Sequence, residues 1–405
     1  MDLTVRPIEE SEFETFRAKM IRGFGGDPHS KDDPVSLRKI IELERTVAAF
    51  DGDELVGTCL AFTFDVTVPG GTLPMGGTTI ITVQPTHRRR GVLRAMMTTH
   101  LAEIRERGET LAGLWASETS IYGRFGFGQA TDLHRVKLDA GNIEFLGDPP
   151  AGEVRLLEPD DARPKLEAVY ERVRLTRPGM LSRSDAWWTG RQIYDPEHHR
   201  DGRTSKRFAV YTGPDGADGY AIYRQKEKWD EFPAGEVQVL EVMAATSDAH
   251  DALWRYLTRI DLFPKVEYWN LPVDDELPCR VVESRRVQRY VWDAMWIRLI
   301  DIPRALEGRR YRAEGRVVFG VHDPFVPDND GRYVLEAGPG GATCSRTNDD
   351  ADLELDVNVL GALYLGGQSI STLAKAGLVQ GDARSVATAG ALFAWDPQPW
   401  CPEIF

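Results

Sequence analysis

Three arginines and a glycine stand between a strand-like and a helix-like segment in the first quarter of the chain. Residues 78–83 are rich in β-branched side chains, which predicts a strand. Pro85 ends this strand, because proline cannot donate to the hydrogen-bond ladder. Residues 87–91 read His-Arg-Arg-Arg-Gly, and apolar residues recur at helical spacing after them. The first turn of a helix presents unpaired N–H groups, so this turn beside guanidinium groups predicts a diphosphate-binding site.

A second motif follows the predicted helix. Residues 116–118 read Ala-Ser-Glu, and residues 121–128 read Ile-Tyr-Gly-Arg-Phe-Gly-Phe-Gly. Together with Pro-Thr-His-Arg-Arg-Arg-Gly at 85–91, these strings resemble the Eis (enhanced intracellular survival) family of actinobacterial aminoglycoside acetyltransferases, which are GNAT N-acetyltransferases. The general GNAT loop pattern is only partly met, because Leu93 occupies its last small-residue position. Both motifs match the narrower Eis pattern. The alternative, a solvated cluster of charges, would explain the basic loop but not the second motif.

The resemblance implies that acetyl-CoA is the co-substrate. In GNAT folds the strand before the loop splays from its neighbour, so the backbone of Ile81 and Val83 is expected to hold the pantetheine arm. The amides of residues 87–91, with Arg88 and Arg89, are expected to hold the pyrophosphate. The residues expected to bind acetyl-CoA are Ile81, Thr82, Val83, His87, Arg88, Arg89, Arg90, Gly91, Val92, Leu93 and Ser117.

Tyr122 is the candidate general acid. A phenol with a pKa of about 10 is protonated at neutral pH and can donate its proton to a thiolate leaving group. The resemblance implies this role, because the family's tyrosine stands at this position of Ile-Tyr-Gly-Arg-Phe-Gly. The alternative is a buried aromatic residue that anchors a short helix, the role expected of Phe125 and Phe127.

Residues 395–405 contain two tryptophans and three prolines and end in Ile-Phe. Frayed tails are usually polar, so this segment is expected to pack against the molecule. The resemblance implies that the α-carboxylate of Phe405 reaches the active site and acts as general base, directly or through water. A carboxylate with a pKa of about 3.5 is a weak base toward an ammonium, so its main contribution is expected to be positioning and electrostatic. The alternative is a terminus without a role.

The charge balance favours a cationic substrate. The chain carries 49 Lys and Arg against 63 Asp and Glu, a net charge of −14. This balance disfavours nucleic acid as a partner, and acidic clefts raise the local concentration of amines. Phe24, Asp27 and Glu403 are the candidate substrate-binding residues, and Asp32 and Asp33 are further candidates. For each, the alternative is a solvated position in an acidic loop.

The composition, with 42% hydrophobic and 28% charged residues, is that of a globular protein. The four cysteines and eight histidines are scattered without metal-ligand spacing, so we expect no metal site. No apolar run reaches the length of a membrane span, and residues 1–6 lack the basic start and apolar core of a signal peptide. We therefore expect a cytoplasmic protein with free thiols and no membrane span.

The elements that position these residues fall into three predicted units. Residues 1–147 are expected to form the catalytic GNAT domain, with residues 133–138 as the strand that closes its sheet. Residues 148–296 are expected to form a degenerate GNAT-like copy, in which Asp248 and Asp251 replace the arginines of the loop. An acidic loop of this kind would repel a pyrophosphate.

The third unit, residues 297–405, combines alternating strands with short helices, and its segment 356–367 again resembles the Eis family. The resemblance implies a sterol-carrier-protein-like fold for this unit, without implying sterol binding. The predicted fold class is therefore α/β (α+β): tandem GNAT-like domains with mixed central sheets flanked by helices, plus a C-terminal sterol-carrier-protein-like α+β domain.

The functional prediction is an acetyl-CoA-dependent N-acetyltransferase that acts on a cationic multi-amine small molecule, an aminoglycoside or another polyamine, at several amines. A protein lysine or small-polyamine acetyltransferase remains an alternative. A non-catalytic, oligomeric CoA-binding protein is a third possibility, although the intact first loop beside a degraded second one disfavours it. The resemblance also implies a homohexamer.

Overall fold

The computed structural model describes residues 2–27 and 34–405. The strands in chain order are β1 (Leu3–Arg6), β2 (Ala48–Asp51), β3 (Glu54–Val68), β4 (Gly71–Val83), β5 (Leu111–Trp115), β6 (Gly128–Gln129), β7 (Asp132–Asp139), β8 (Glu153–Leu157), β9 (Arg207–Gly213), β10 (Gly216–Lys226), β11 (Trp229–Asp230), β12 (Phe232–Pro233), β13 (Glu236–Ala244), β14 (Lys265–Leu271), β15 (Val287–Asp293), β16 (Met295–Leu299), β17 (Gly315–His322), β18 (Gly331–Gly338), β19 (Gly341–Arg346), β20 (Leu353–Asp356) and β21 (Val379–Gly381).

The helices in chain order are α1 (Phe13–Gly23), α2 (Pro34–Ile40), α3 (Val92–Glu106), α4 (Thr119–Tyr122), α5 (Pro159–Arg174), α6 (Asp185–Trp187), α7 (Ser247–Thr258), α8 (Leu277–Arg280), α9 (Ile302–Gly308), α10 (Val357–Leu363), α11 (Ile370–Lys375) and α12 (Ala383–Phe393). The short α6 continues into a π-helical turn, Trp188–Gln192. None of the helices in the described ranges is both long and apolar enough to cross a bilayer.

The first sheet has seven strands in the order β1-β2-β3-β4-β5-β16-β6. Strands β3 and β4 form a long antiparallel pair, but β4 and β5 pair in parallel only over Met75–Gly77 and Leu111–Gly113. Beyond that point the two strands separate, so the rest of β4 has no neighbour on its β5 side. Helix α3 packs over this sheet through Met97, Leu101 and Ile104, as their helical spacing predicts.

The second sheet also has seven strands, in the order β15-β7-β14-β13-β10-β9-β8. Its β13 and β14 pair in parallel only over Glu236–Val239 and Lys265–Tyr268, so it repeats the separation seen in the first sheet. Helix α7 follows β13 as α3 follows β4, and it buries Leu253, Trp254 and Leu257 against this sheet.

The two sheets exchange strands. We expected residues 133–138 to close the first sheet, and this expectation is wrong: β7 lies in the second sheet between β15 and β14. The vacant place in the first sheet is taken by β16, which pairs with β5 and β6. The alternation of apolar and polar residues along β7 shows that one face of the strand is buried, but it does not show to which sheet the strand belongs. The boundaries predicted after residues 147 and 296 stay predictions.

The third sheet has five strands in the order β19-β18-β17-β20-β21. Helix α12 packs against β17 through Leu392 and Phe393, and α10 packs on β16 of the first sheet. The core of this unit is continuous with that of the first sheet, because one cluster of buried apolar residues includes members of both. The C-terminal segment 398–405, called the tail below, leaves this unit and runs back between the first and second sheets.

Candidate active site

A cavity of about 330 Å³ opens where β4 and β5 separate. Three parts of the molecule form its wall: the two separated strands, the edge of the second sheet and the end of the tail. The lining residues include Phe24, Thr78, Ile81, Trp115, Ser117, Tyr122, Arg135, Trp269, Trp292, Asp293, Ile404 and Phe405.

The backbone of β4 bends where it lines the cavity. Ile80 has φ of +55°, which is rare for a β-branched residue, and the pairing register of β3 with β4 shifts at this place. The carbonyl of Ile80 accepts a hydrogen bond from the Thr58 hydroxyl at 2.8 Å, and that hydroxyl lies 2.7 Å from Thr82 Oγ1. The predicted cofactor residue Thr82 is thus buried against β3, whereas Ile81 faces the cavity.

Strand β4 runs into the basic loop. Arg88, Arg89 and Arg90 are exposed, and across residues 2–27 and 34–405 none of them forms an ion pair with a carboxylate. Arg89 adopts φ of +62° and Gly91 φ of +87°, immediately before α3 begins at Val92. The loop thus gathers three uncompensated guanidinium groups at a helix N-terminus, an arrangement that fits an anionic diphosphate.

His87, Val92 and Leu93 support the loop from beneath. His87 is almost fully buried, with Nδ1 2.8 Å from Thr86 Oγ1 and Nε2 3.5 Å from Asp51 Oδ2. Val92 is buried among apolar residues of the first sheet, and Leu93 packs beside it. These side chains anchor the loop, so a contact with acetyl-CoA would have to come from their backbone amides.

Tyr122 ends the short helix α4 with its side chain in the cavity wall and only 5% of its surface exposed. Burial raises the pKa of the phenol, and the interaction with the nearby Ser117 hydroxyl offsets part of this rise. The phenol therefore keeps its proton at neutral pH, as a proton donor must. Its ring also packs edge-on against Phe127 at 6.4 Å, so the anchoring role is present as well.

Phe405 is half-buried at the opposite side of the cavity. Its ring lies 5.2 Å from that of Phe64 on β3, above Gly77 of β4. A Cβ atom at Gly77 would come within 3.3 Å of the Phe405 ring and far closer to Phe64, so the glycine makes room for both aromatic rings. The structure thus brings Tyr122 and Phe405 to one cavity.

Glu403 does not line this cavity. Its carboxylate is buried, with an ion pair to Arg183 and hydrogen bonds from Trp187 Nε1 at 2.9 Å and Gln192 Nε2 at 3.1 Å. A carboxylate with this many partners is already neutralised and offers little to a cationic substrate.

The two remaining predicted substrate residues lie near the end of α1. Phe24 is 58% exposed at the edge of the cavity. Asp27 is exposed at the end of the first described range and does not line the cavity. Asp32 and Asp33 lie outside the described residues.

Sequence reasoning missed the contribution of the second sheet. Arg135 of β7, Trp269 of β14, and Trp292 and Asp293 of β15 all line the cavity. The Arg135 guanidinium lies over the Trp292 ring at 4.1 Å. The number of tryptophans in the sequence is a signal that could have drawn attention to them. Their place at this cavity, however, follows from the exchange of strands between the two sheets, which the local sequence does not encode.

Comparison with known protein families agrees with this architecture. Two family models described as "Acetyltransferase (GNAT) domain" match residues 4–130 and 179–299, and a "Sterol carrier protein domain" model matches residues 302–402. The predicted fold class, with tandem GNAT-like domains and a sterol-carrier-protein-like third unit, is confirmed.

Relatives extend over most or all of the chain. An uncharacterized N-acetyltransferase of Streptomyces avermitilis is 39% identical over the whole length of both chains. The N-acetyltransferase Eis of Mycobacterium tuberculosis is 38% identical over 85% of each chain. Among solved structures, Eis1 of Mycobacterium abscessus superposes with a TM-score of 0.87 at 31% identity, covering 99% of this chain and all of that one. The predicted membership and the predicted enzyme class, N-acetyltransferase, are both confirmed.

Proposed function

Because this chain belongs to the Eis family of GNAT N-acetyltransferases, we propose that it transfers acetyl groups from acetyl-CoA to the amines of an aminoglycoside or another polyamine, at several positions. The observation that carries this proposal is a single cavity that holds Tyr122 and Phe405 between the separated strands β4 and β5. Strand β4 leads from that cavity directly into the basic loop.

The proposed residue roles follow the course of β4. The backbone at Ile81 and Val83, on the side of β4 that has lost its β5 neighbour, binds the pantetheine arm, and the loop amides with Arg88 and Arg89 bind the pyrophosphate. Bound acetyl-CoA supplies a thioester whose carbonyl carbon the amine attacks. The amine must be neutral to attack, so the proposed task of the Phe405 α-carboxylate is to hold the ammonium and take its proton, directly or through water.

Tyr122 completes the proposed reaction. As the C–N bond forms, the C–S bond breaks and leaves a thiolate. The phenol of Tyr122 donates its proton to this sulfur, and Ser117, which already interacts with the phenol, orients it. The nitrogen gives up two protons in all: the ammonium proton passes to the carboxylate before the attack, and the second proton leaves the nitrogen once the C–N bond has formed. This second proton, passed through water, restores the phenol that protonated the thiolate, so the net transfer releases one proton to solvent.

The cavity wall supports an amine as the acceptor. Trp115 and Trp269 line it with aromatic rings, which attract ammonium groups, and Asp293 supplies a carboxylate. The Trp292 ring is already covered by the Arg135 guanidinium at 4.1 Å. Trp115 and Trp269 lie 5.9 Å apart, centroid to centroid, with their ring planes tilted by 53°, so they line adjacent parts of the cavity. Arg135 stands exposed beside them and would disfavour a second cationic group at that side.

A turnover panel tests the choice of acceptor. We would measure acetyl-CoA consumption with kanamycin or neomycin, with spermidine and with a lysine-containing peptide at equal amine concentration. The proposal expects the aminoglycosides to give the highest kcat/KM. A higher kcat/KM with the peptide would contradict this proposal and favour a protein lysine acetyltransferase. A higher kcat/KM with spermidine would favour a small-polyamine acetyltransferase.

We also propose that the chain assembles as a homohexamer, as the family resemblance implies. The hairpin of β11 and β12 supports an interface, because it exposes Trp229 and Phe232 by 59% and 74%. Light scattering coupled to size-exclusion chromatography would give the mass directly, and a monomeric mass would contradict the proposal.

A further inference from the structure

The tail is held mainly by side chains of residues 148–296, together with Trp115 of β5, and by few backbone partners. It forms no strand in any of the three sheets. Its backbone carbonyls accept hydrogen bonds from the side chains of Arg177 (to Gln398, 2.9 Å), Asn270 (to Cys401, 3.0 Å), Trp115 (to Glu403, 2.7 Å) and Arg191 (to Ile404, 2.7 Å). A few named side chains therefore decide where this segment ends.

The strongest of these attachments is the buried carboxylate of Glu403. Arg183 pairs with it and also with Glu241, which in turn accepts a hydrogen bond from Tyr220 at 2.5 Å. The Arg183 guanidinium lies 3.6 Å from the centre of the Tyr170 ring. Glu241 lies in β13 and Glu403 in the tail, so one guanidinium joins the second sheet to the tail.

A π-helical turn brings two more side chains to the tail. Residues Trp188–Gln192 form this turn, which is closed by a hydrogen bond from Ile193 N to Trp188 O of 2.9 Å. Arg191 binds the carbonyl of Ile404, and Gln192 binds the Glu403 carboxylate. π-Helical turns are rare and frequently occur at functional sites.

Lys206 holds that turn in place. Its ammonium donates to the backbone carbonyls of Arg191, Gln192 and Tyr194 at 2.8, 2.7 and 2.9 Å. These carbonyls have few partners of their own, because a helix leaves its last carbonyls unsatisfied. The contacts thus run from Lys206 through the π-helical turn to the tail.

From these contacts we infer that the degenerate GNAT-like unit sets the position of Phe405, with Arg183, Arg191 and Gln192 as positioning residues for acetyl transfer. None of the three lines the cavity, and each forms a hydrogen bond or ion pair with the tail. Phe405 follows Glu403 by two residues, so the attachment of the Glu403 carboxylate limits how far the Phe405 carboxylate can move. This inference rests on the proposed role of Phe405 as general base.

The first experiment measures the position of the tail without relying on catalysis. The variants are Gln192→Leu and Arg191→Met. The control is Arg172→Met, which breaks an ion pair with Asp218 in the same unit, a pair that includes no residue of the tail. Hydrogen exchange of residues 398–405, followed by mass spectrometry, should become about tenfold faster in the two variants, since each loses a charge-assisted hydrogen bond. Unchanged exchange in both variants would overturn the inference.

The second experiment connects position to catalysis through a double-mutant cycle. Gln192→Leu should lower kcat about tenfold while the Kd for acetyl-CoA stays unchanged. In a chain lacking Phe405, the same substitution should have no further effect on kcat, because it acts through Phe405. Additive losses would show a merely structural effect and overturn the inference.

The two experiments separate the inference from the proposed function. If removal of Phe405 leaves turnover intact, the general-base proposal fails. Faster tail exchange in Gln192→Leu would then still establish that the second unit holds the tail. Arg183→Met is avoided as a primary test, because it would leave two buried carboxylates without a counter-charge and risks unfolding the chain.

Discussion

At the scale of single residues, the proposed chemistry depends most on the protonation state of Tyr122. Burial raises the pKa of the phenol, so the proton stays in place throughout the neutral range. A raised pKa also makes the phenol a weaker acid, which limits how early in the reaction the proton can transfer. The phenol is therefore suited to a leaving thiolate, which becomes basic only as the C–S bond breaks.

Replacement of Tyr122 by Phe tests this role. The aromatic packing against Phe127 is preserved, and only the hydroxyl is lost. We expect kcat to fall about 100-fold, the lower end of general acid–base contributions, with the Kd for acetyl-CoA unchanged. Stopped assays with a thiol reagent would measure kcat, and calorimetry would measure Kd. A variant with full kcat would leave Tyr122 with its structural role alone.

His100 contacts a residue of the cavity wall, and its titration should make the stability of the protein depend on pH. It lies on α3, fully buried, with Nε2 2.9 Å from Oγ1 of Thr78 in the cavity wall. Burial, together with the smaller effect of the Arg45 charge, lowers the pKa of this histidine from 6.5 to about 3. The unfolded chain therefore binds more protons between pH 3 and 6.5, and the folded state loses stability as the pH falls through this window.

The comparison of wild type with His100→Gln isolates this effect. Between pH 7 and pH 4.5 the wild type should lose about 2.5 kcal/mol more unfolding free energy than the variant, because glutamine does not titrate. Urea denaturation at the two pH values gives both numbers. Equal acid losses in the two proteins would show that His100 is protonated in the folded state.

At the scale of elements, helix α3 offers a matched pair of glycines. Gly91 precedes its first residue with φ of +87°, and Gly108 follows its last turn with φ of +75°. An added Cβ meets no atom within 4 Å at either position, so only the backbone conformation opposes a side chain. Alanine should therefore cost about 1 kcal/mol of stability at both positions.

The two alanine variants should differ in acetyl-CoA binding. Gly91→Ala distorts the loop that carries the three arginines, so its Kd for acetyl-CoA should rise at least tenfold. Gly108→Ala lies at the opposite end of the helix, and its Kd should match that of the wild type. Calorimetric titration with acetyl-CoA gives both constants. Equal affinities for acetyl-CoA in the two variants would show that the basic loop does not bind the cofactor.

The elements that sequence predicts well are those with a local signal. The strand at 78–83 and the helix after Gly91 follow from β-branched residues and apolar spacing, and both are present as β4 and α3. The sheet that receives β7 could not be predicted, because residues 133–138 alternate equally well against either sheet. The same strand exchange brings β15 to the cavity.

At the scale of the whole molecule, the cavity is assembled from distant parts of the chain. A short motif indicates Tyr122 and Ser117, and the resemblance to the Eis family implies Phe405, whose apolar tail predicts only that the segment packs against the molecule. Trp269, Trp292 and Asp293 were not predicted, because nothing in their local sequence indicates which surface they face. Glu403 stood out by its charge, yet Arg183 binds its carboxylate, a contact visible only in three dimensions.

The second GNAT-like unit has no arginine between β13 and α7, but it lines one side of the cavity and supplies most of the side chains that hold the tail. The cavity, the tail and the second unit are therefore joined by direct contacts into one assembly.

The central claim is that this assembly acetylates several amines of one acceptor through Tyr122 and Phe405. The most direct test incubates the protein with acetyl-CoA and neomycin and counts the added acetyl groups by mass spectrometry, alongside Tyr122→Phe and a chain lacking Phe405. We expect products with two or more acetyl groups for the wild type, and a loss of most product in both variants. Bound acetyl-CoA without any acetylated neomycin, or full product from the chain lacking Phe405, would contradict the central claim.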